Sequence, residues 1–241
     1  ITESWTKPEM ADSELALDGY RLFRKDRENQ RPEGHGAGGV LLYVKSSFNA
    51  VERWDMCNET FKESVWCEIQ LKKSKMLVGV CYRVPDATEE SDHGMYKLLE
   101  RANKETSLIM GDFNYHVDWE NSEGEKEHDR IFLDFIETSF MQQHVMEPTR
   151  GKNILDLVIT SDENMIETLS VGEHFNTSDH QVVRWGLVME QTQEVKAYVK
   201  RPNFFKADYD LVRNRLKAKK LESVVRGMEV NDAWKKFNGI M

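Results

Sequence analysis

Residues 107–114 read Ser-Leu-Ile-Met-Gly-Asp-Phe-Asn and place two polar side chains after a short apolar run. The run has the length of a buried strand, and it ends in Gly-Asp-x-Asn. Because side chains alternate along extended backbone, Asp112 and Asn114 are predicted to lie side by side while Phe113 points away. At the carboxyl end of a strand in an open α/β sheet, an aspartate can accept a proton from water or hold a hard cation. An Asx-type turn after an ordinary strand is the alternative interpretation.

Further apolar runs on both sides of this stretch predict a sheet-rich chain with few helices. Strands are predicted at 40–44, 65–71, 76–82, 154–160, near 168–171 and at 182–188. Helical spacing predicts one helix over 86–104, with Thr88 as its N-cap, and a second over 131–140. Residues 9–30 are charged and mixed, and a short helix followed by a loop is predicted there. This order favours a four-layer α/β sandwich, two mixed β-sheets packed face to face and flanked by helices, over a doubly wound single sheet.

Charge is distributed unevenly along the 241 residues. Residues 191–241 contain 12 lysines and arginines against 6 acidic residues, a charge of +6, and the remainder contains 21 against 36, a charge of −15. The total of −9 argues against binding nucleic acid by bulk attraction, whereas an acidic body suits carboxylates that collect a cation. We therefore predict one domain over 1–190 and a basic helical linker over 191–241.

The same composition bears on where the chain resides. No apolar run is long enough to span a membrane, so no membrane partner is expected. The three cysteines form no C-x-x-C pair, and two of them lie inside apolar runs. Buried, reduced thiols in an intracellular protein are therefore expected.

Asp156 and His180 are candidates for a second polar pair. Asp156 interrupts the apolar strand at 154–160, and a buried carboxylate is costly unless a partner satisfies it. The functional interpretation is a carboxylate that orients a histidine and stabilises its charged form, and the alternative is an aspartate on a solvated strand face. His180 is the natural partner, because Ser178-Asp179-His180 places a hydroxyl, a carboxylate and an imidazole where the last strand begins.

Three carboxylates, Glu3, Asp112 and Asp179, are predicted at three strand ends. Oxygen ligands suit Mg²⁺ or Mn²⁺, and no histidine or cysteine spacing indicates zinc. A hard cation on a phosphate oxygen, a carboxylate-activated water and a charge-stabilising histidine together indicate phosphodiester hydrolysis. Aspartic-protease and glycosidase interpretations stay open at this point, although they give no role to the asparagine and the histidine.

The order of these motifs resembles one known superfamily. The motifs are Ile1-Thr2-Glu3, Tyr82-Arg83-x-Pro85, Gly111-Asp112-Phe113-Asn114, Leu155-Asp156-Leu157 and Ser178-Asp179-His180. Over residues 1–190 they resemble the endonuclease/exonuclease/phosphatase superfamily, and within it the apurinic-type endonuclease domains of non-LTR (LINE-like) retrotransposons. The family fold begins with a strand whose asparagine joins the active site. This chain starts at the next strand, so that amino-terminal strand is missing from the pattern.

The resemblance implies five residues that act on the water and the phosphate. Asp112 would align or deprotonate the attacking water, and Asn114 would position that water and the phosphate. Tyr82 would contact the scissile phosphate. His180 would stabilise the transition state, oriented by Asp156.

It also implies how the metal and the substrate are held. Glu3 would be the metal ligand, and Asp179 would lie beside the metal, which is Mg²⁺ or Mn²⁺. Thr149 and Ser178, with Asn114, would contact the substrate backbone.

The activity implied is a Mg²⁺-dependent DNA endonuclease. It would nick one strand and leave a 3′-hydroxyl that primes reverse transcription by a reverse transcriptase domain on the full-length chain. The basic segment 191–241 is similar to the linker that leads toward such a domain, and a nuclear location follows from the DNA substrate. Two alternatives stay open: a phosphomonoesterase or abasic-site endonuclease of the same superfamily, and a catalytically dead remnant or binding module.

Overall fold

The computed structural model describes residues 1–27, 38–189, 209–218 and 226–238. The chain divides into two units, Ile1–Ala197 and Tyr198–Met241. The strands described in the first unit are β1 (Tyr20–Lys25), β2 (Val40–Lys45), β3 (Asn49–Glu52), β4 (Ser64–Gln70), β5 (Lys75–Tyr82), β6 (Ser107–Asp112), β7 (Val117–Asp118), β8 (Glu123–Gly124), β9 (Gln142–Gln143), β10 (Asp156–Thr160), β11 (Ile166–His174) and β12 (Gln181–Leu187). Its α-helices are α1 (Glu89–Ala102) and α2 (Glu127–Thr138).

A six-stranded mixed sheet forms the centre of the first unit. Its strand order is β3-β4-β5-β6-β10-β9, in which β5 and β6 are parallel and the other pairs are antiparallel. The connection from β5 to β6 contains α1, as a parallel pair requires. The strands predicted at 76–82 and 154–160 are thus the two neighbours of the 107–112 strand, and the strand predicted at 65–71 pairs with the one at 76–82.

The central sheet is buried on both faces. On one face, α1 and α2 pack over alternate strand residues, which include Trp66, Leu77, Cys81, Ile109, Leu157 and Ile159. On the other face, the two-stranded sheets β1-β2 and β11-β12 pack over the intervening residues, which include Val65, Val78, Val80, Leu108 and Val158. This arrangement confirms the predicted mixed α/β fold with sheets packed face to face. In the described part of the first unit, both α-helices lie on the same face of the central sheet.

The N-terminus of α1 follows from the sequence. Thr88 has an extended backbone, and its hydroxyl accepts a hydrogen bond from the backbone N–H of Ser91, 3.2 Å away. Acidic residues occupy the first turn, where they favour the positive end of the helix dipole. The predicted N-cap is therefore confirmed.

Phe132 of α2 holds the helix layer against the loop that follows β6. Its ring is fully buried and stacks on Tyr115 at a centroid distance of 4.1 Å, and Phe113 lies 5.8 Å away. Replacing Phe132 with alanine is expected to lower the free energy of unfolding by about 3–5 kcal/mol, because the cavity cannot collapse against a sheet. Urea unfolding measures this change. Phe140, which is 83% exposed, is the matched control, and its alanine variant should stay within about 0.5 kcal/mol of wild type.

The structure corrects two predicted elements. Residues 9–30 were predicted as a short helix and a loop, but their described part holds a 3₁₀ turn at Asp12–Glu14 and strand β1, paired antiparallel with β2. Only Phe23 of β1 is buried, so the strand shows no apolar alternation in the sequence. The second helix ends at Thr138 rather than 140, and Phe140 lies beyond it with a left-handed backbone.

The second unit contains two described helices, α3 (Tyr209–Ala218) and α4 (Val230–Asn238). The predicted boundary at 190 falls at the edge of residues 190–208, which lie outside the described ranges, so the domain assignment stays a prediction. Among the helices described, none combines the length and the apolar character needed to cross a membrane.

Candidate functional site

The sheet register places three polar side chains in a row at one edge of the central sheet. Tyr82 ends β5 and pairs with Asp112, which ends β6, and Asp112 in turn pairs with Asp156, which begins β10. Paired residues on adjacent strands point to the same side of a sheet, so these three side chains are neighbours. Gly111 precedes Asp112 with a φ of +143°, and a Cβ there would overlap the carbonyl oxygen of Cys81. Glycine is therefore required at the point where the strand delivers its aspartate.

Asp112 and Asn114 lie side by side, as the sequence predicts. The Asn114 backbone N–H donates to Asp112 Oδ1 at 3.1 Å, and its side-chain Nδ2 donates to Oδ2 at 3.0 Å. Phe113 points the other way and is buried in the helix-facing core. The Asn114 backbone has a left-handed φ of 50°, which asparagine tolerates better than most residues.

Burial changes the acidity of Asp112. The residue is only 2% exposed. Burial, together with the negative charge of Asp156, raises the pKa of Asp112 to about 7, although His180 opposes the shift. A carboxyl group with such a pKa can hold or release a proton near neutral pH, which is the property that a group handling a water proton needs.

His180 and Asp156 form the second predicted pair. His180 Nδ1 lies 2.7 Å from Asp156 Oδ2, and His180 Nε2 lies 3.9 Å from Asp112 Oδ2. The hydrogen bond that His180 Nδ1 donates to Asp156 raises the pKa of His180, because it favours the charged imidazolium. The aspartate that interrupts an apolar strand therefore holds a histidine, as predicted. The other ring nitrogen of His180, Nε2, faces the Asp112 carboxylate.

Tyr82 and Glu3 close the row on the other side of Asp112. The Tyr82 hydroxyl donates a hydrogen bond to Glu3 Oε1. Burial and this negative partner both raise the pKa of Tyr82, so it stays a neutral donor. Glu3 is exposed, and its charge also contributes to the raised pKa of Asp112, which places the two carboxylates in one electrostatic cluster.

The other predicted site residues occupy less central places. Thr149 is fully buried, and its hydroxyl accepts the backbone N–H groups of Leu155 and Asp156 at 3.1 and 3.0 Å, so it holds the start of β10. The Ser178 hydroxyl accepts the backbone N–H of His180 at 3.1 Å. The contacts of Thr149 and Ser178 with a substrate stay predictions.

Asp179 lies at the rim of the cluster. Its side chain is 66% exposed, and Oδ2 lies 2.5 Å from Arg150 Nη2. Arg150 also opposes the rise in the pKa of His180, which places its positive charge near the imidazole. The sequence interpretation gave Arg150 no role. The signal available was a cationic residue directly after Thr149.

The cluster can hold a divalent cation. Ligand atoms of Asp112, Asp156 and His180 all lie within 4.8 Å of one another. The Asp156 hydrogen bond already occupies His180 Nδ1, so the carboxylate oxygens of Asp112 and its neighbour Glu3 are the donors better suited to a hard cation. The predicted role of Glu3 fits this donor set. Asp179 pairs with Arg150, and its predicted place beside a metal stays a prediction.

Stability of the metal-free protein is expected to fall as pH rises from about 5 to 8. Between the unfolded and folded pKa values of Asp112, the folded state binds a proton that the unfolded state has lost, so stability decreases with pH. The raised pKa of His180 acts in the same direction, because its contribution is lost as pH rises through the folded value. Urea unfolding in chelator should show a decrease of about 2–4 kcal/mol.

Two variants separate Asp112 from the rest of the chain. Asp112→Asn removes the carboxyl group with the shifted pKa and should flatten the dependence of stability on pH. Asp134→Asn changes an exposed aspartate on α2 and should keep the wild-type slope. An unchanged slope in Asp112→Asn would contradict the burial-induced shift.

Comparison with known proteins gives one sequence match and several structural ones. A sequence model of the endonuclease-reverse transcriptase family matches residues 76–184, a range that includes every predicted site residue except Glu3. A search among curated proteins found no match.

Two solved structures share the fold. The endonuclease domain of TRAS1, a telomere-specific non-LTR retrotransposon, has a TM-score of 0.57 at 14% identity, over 73% of this chain and 83% of that one. The catalytic domain of human Nocturnin, with bound sulfate anion, has a TM-score of 0.51 at 14% identity, over 78% of this chain and 79% of that one. At these sequence identities the similarity establishes the fold alone. Any inference about the chemistry of the site therefore has to come from the geometry of its side chains.

Proposed function

We propose that this chain, whose residues 76–184 match a sequence model of the endonuclease-reverse transcriptase family, is a Mg²⁺-dependent DNA endonuclease of the endonuclease/exonuclease/phosphatase superfamily. Members of the superfamily are hydrolases that act on phosphodiester bonds. The observation that carries the proposal is the row Tyr82, Asp112 and Asp156 across three adjacent strands, with His180 held between the two aspartates. This row supplies the acceptor, the donor and the oriented imidazole that hydrolysis of a phosphodiester requires.

The roles of the residues follow from their contacts. Asp112, with a pKa near neutrality and Asn114 fixed against it, orients the attacking water and accepts its proton. His180, kept charged by Asp156, donates to a phosphate oxygen as negative charge develops there. Tyr82, kept neutral, would transfer its single hydroxyl hydrogen bond from Glu3 to the phosphate when the substrate binds.

A divalent metal would be held by the carboxylates of Glu3 and Asp112. When bound, it would neutralise a phosphate oxygen and so make the phosphorus more open to attack. The donor set of oxygens favours Mg²⁺, with Mn²⁺ as a substitute.

The choice of DNA and of strand nicking rests on the matched family. Its description joins an endonuclease to a reverse transcriptase, and the similar TRAS1 domain is the endonuclease of a retrotransposon. We infer that this chain leaves a 3′-hydroxyl that primes reverse transcription. A reverse transcriptase domain is the expected partner, and the nucleus is the expected location.

Conversion of supercoiled plasmid to the nicked form tests the proposal. Nicking is expected with Mg²⁺ and is expected to stop in chelator. The nicked product should support extension by a DNA polymerase without phosphatase treatment, because its end is a 3′-hydroxyl. Release of phosphate from terminal phosphomonoesters, or cleavage restricted to abasic plasmid, would favour the alternative activities. DNA binding without hydrolysis would indicate a binding module.

Replacing the proposed metal ligand Glu3 is expected to lower the affinity for Mg²⁺ more than the maximal rate of nicking. Glu3→Gln should raise the Mg²⁺ concentration for half-maximal nicking by about 10-fold or more, because one charged ligand is lost. A Mg²⁺ titration of the nicking rate measures this change. Glu9→Gln, which changes an exposed carboxylate of the same amino-terminal segment, should leave the titration unchanged. Equal titrations for both variants would remove Glu3 from the metal site.

A further inference from the structure

Arg83 is a fully buried cation that no step of the proposed chemistry uses. It follows Tyr82 at the end of β5, and it is 2% exposed. Burying a guanidinium is costly unless it is paired and hydrogen-bonded. Its partner is Asp92 of α1, whose carboxylate accepts hydrogen bonds from Arg83 Nε at 2.6 Å and from Nη2 at 2.9 Å, which makes the pair bidentate. The guanidinium carbon also lies 4.1 Å from the centroid of the Tyr115 ring.

The same residue holds Asn114 from two directions. The Arg83 carbonyl accepts a hydrogen bond from Asn114 Nδ2 at 2.8 Å, and Arg83 Nη1 donates to the Asn114 carbonyl at 3.3 Å. The Arg83 backbone N–H donates to the Asp112 carbonyl at 2.9 Å. Both protons of the Asn114 amide are thereby directed, one to Arg83 and one to the Asp112 carboxylate.

The backbone conformation of Asn114 is an uncommon one. Its φ of 50° lies in the left-handed region, which is unfavourable for residues with a side chain. The neighbouring Phe113 and Tyr115 are anchored in the helix-facing core, and the Tyr115 hydroxyl lies 3.1 Å from that of Tyr96. The Arg83–Asp92 pair therefore links helix α1 to the backbone carbonyl of Asn114, while the Arg83 main-chain carbonyl accepts the Asn114 side-chain amide.

Stability alone does not account for a buried ion pair. Replacing such a pair by apolar residues of similar volume is often neutral or stabilising. The surroundings are already apolar, since Met95, Leu98 and Leu99 of α1 are buried against the same sheet.

We propose that Arg83 is a positioning residue, which, through its pair with Asp92, holds Asn114 in the conformation that orients Asp112 for catalysis. This inference rests on the proposed hydrolytic function, since it concerns the same site. Arg83 touches neither the water nor the phosphate, and it acts through Asn114.

The test compares an apolar replacement of the pair with wild type. Arg83→Met alone leaves Asp92 buried without its partner and can fail to fold, so the double variant Arg83→Met/Asp92→Leu is the informative one. Its thermal unfolding midpoint should lie close to that of wild type. Its kcat for nicking should fall about 30–100-fold with KM changed less than about 3-fold, because a misplaced catalytic group lowers kcat. A double variant with both the kcat and the stability of wild type would overturn the proposal.

A double-mutant cycle asks whether Arg83 acts through Asn114. In an Asn114→Ala background, Arg83→Met/Asp92→Leu should lower kcat no further, because the residue it positions is gone. Losses that multiply would overturn the proposed route. Arg53→Met is the matched control: Arg53 also pairs with carboxylates, including Glu105, which precedes the opposite end of β6. This variant should keep the wild-type kcat.

A readout independent of activity separates this proposal from the proposed function. In NMR spectra, the two Asn114 side-chain amide protons should be well dispersed and slow to exchange with water in wild type and in Arg53→Met. In Arg83→Met/Asp92→Leu these protons should exchange at least about 10-fold faster, because their hydrogen bonds break more often. Unchanged exchange would overturn the positioning role. If wild type nicks no DNA but the amide protons respond as expected, the proposed function fails and the positioning of Asn114 stands.

Discussion

Replacing Asp112 with asparagine is expected to lower plasmid nicking about 10³-fold or more while raising the stability of the metal-free protein at pH 8. The loss of activity follows because asparagine can neither accept the proton of water nor supply a negative charge to the cation. The gain in stability follows because the buried Asp112 carboxyl has a pKa raised to about 7, so at pH 8 the folded protein carries an unfavourable charge. Removing that charge should add about 2 kcal/mol to the free energy of unfolding.

Opposite signs for activity and stability distinguish this site from an ordinary core position. Nicking rates and urea unfolding at pH 8 in chelator, measured on the same preparations, provide both values. Asp134→Asn, on the exposed surface of α2, should change neither. An Asp112→Asn protein that nicks within 10-fold of wild type would exclude Asp112 from the water-handling role.

His180→Ala is expected to lower nicking by about 10²–10³-fold, because it removes the donor that meets the developing charge on the phosphate. Asp156→Asn should lower it by about 10²-fold, because the histidine loses the partner that sets its tautomer and its charge. The double variant should be no worse than His180→Ala alone, since Asp156 acts through the imidazole at 2.7 Å.

The pH dependence of the Asp156 variant gives a second check. The hydrogen bond to Asp156 is the main cause of the raised pKa of His180, and the charged imidazolium is the active form in the proposed mechanism. In Asp156→Asn the pKa should fall, so nicking should be lost at a lower pH than in wild type as pH increases. NMR titration of His180 measures the pKa directly. His128→Ala, which removes a more exposed histidine of α2, should leave both profiles unchanged. Multiplicative losses in the double variant would show that the two residues act separately.

Much of the fold could be predicted because its strands are apolar runs of the right length with clear ends. The strand before Asp112, the two strands at 65–71 and 76–82, and the N-cap at Thr88 all have local signals that the structure bears out. Strand β1 could not be predicted in the same way, because a single buried residue, Phe23, carries its packing. Where a strand buries one side chain, its pattern does not differ from that of a loop.

The candidate site divides along a similar line. The residues that could carry the chemistry were predictable from the sequence, because Gly-Asp-Phe-Asn and Ser-Asp-His are short-range motifs. Asp156 was predictable because a carboxylate in an apolar strand is costly without a partner. The sequence did not predict that Asp179 pairs with Arg150 or that Arg83 pairs with Asp92. Surface and buried charges choose partners by distance in space, and many carboxylates in an acidic chain are equivalent in sequence.

The sequence by itself therefore determined the apolar strands β2, β4, β5, β6 and β10 and the reactive side chains that stand at their ends. Local backbone preferences and the burial of apolar runs act over a few neighbouring residues, so their record is in the sequence. Only the tertiary structure decided that Tyr82, Asp112 and Asp156 lie in one row, since a register between strands 30 to 44 residues apart depends on the whole core. It also decided the pKa of Asp112, because burial and the charge of Asp156 exist only once those strands have paired.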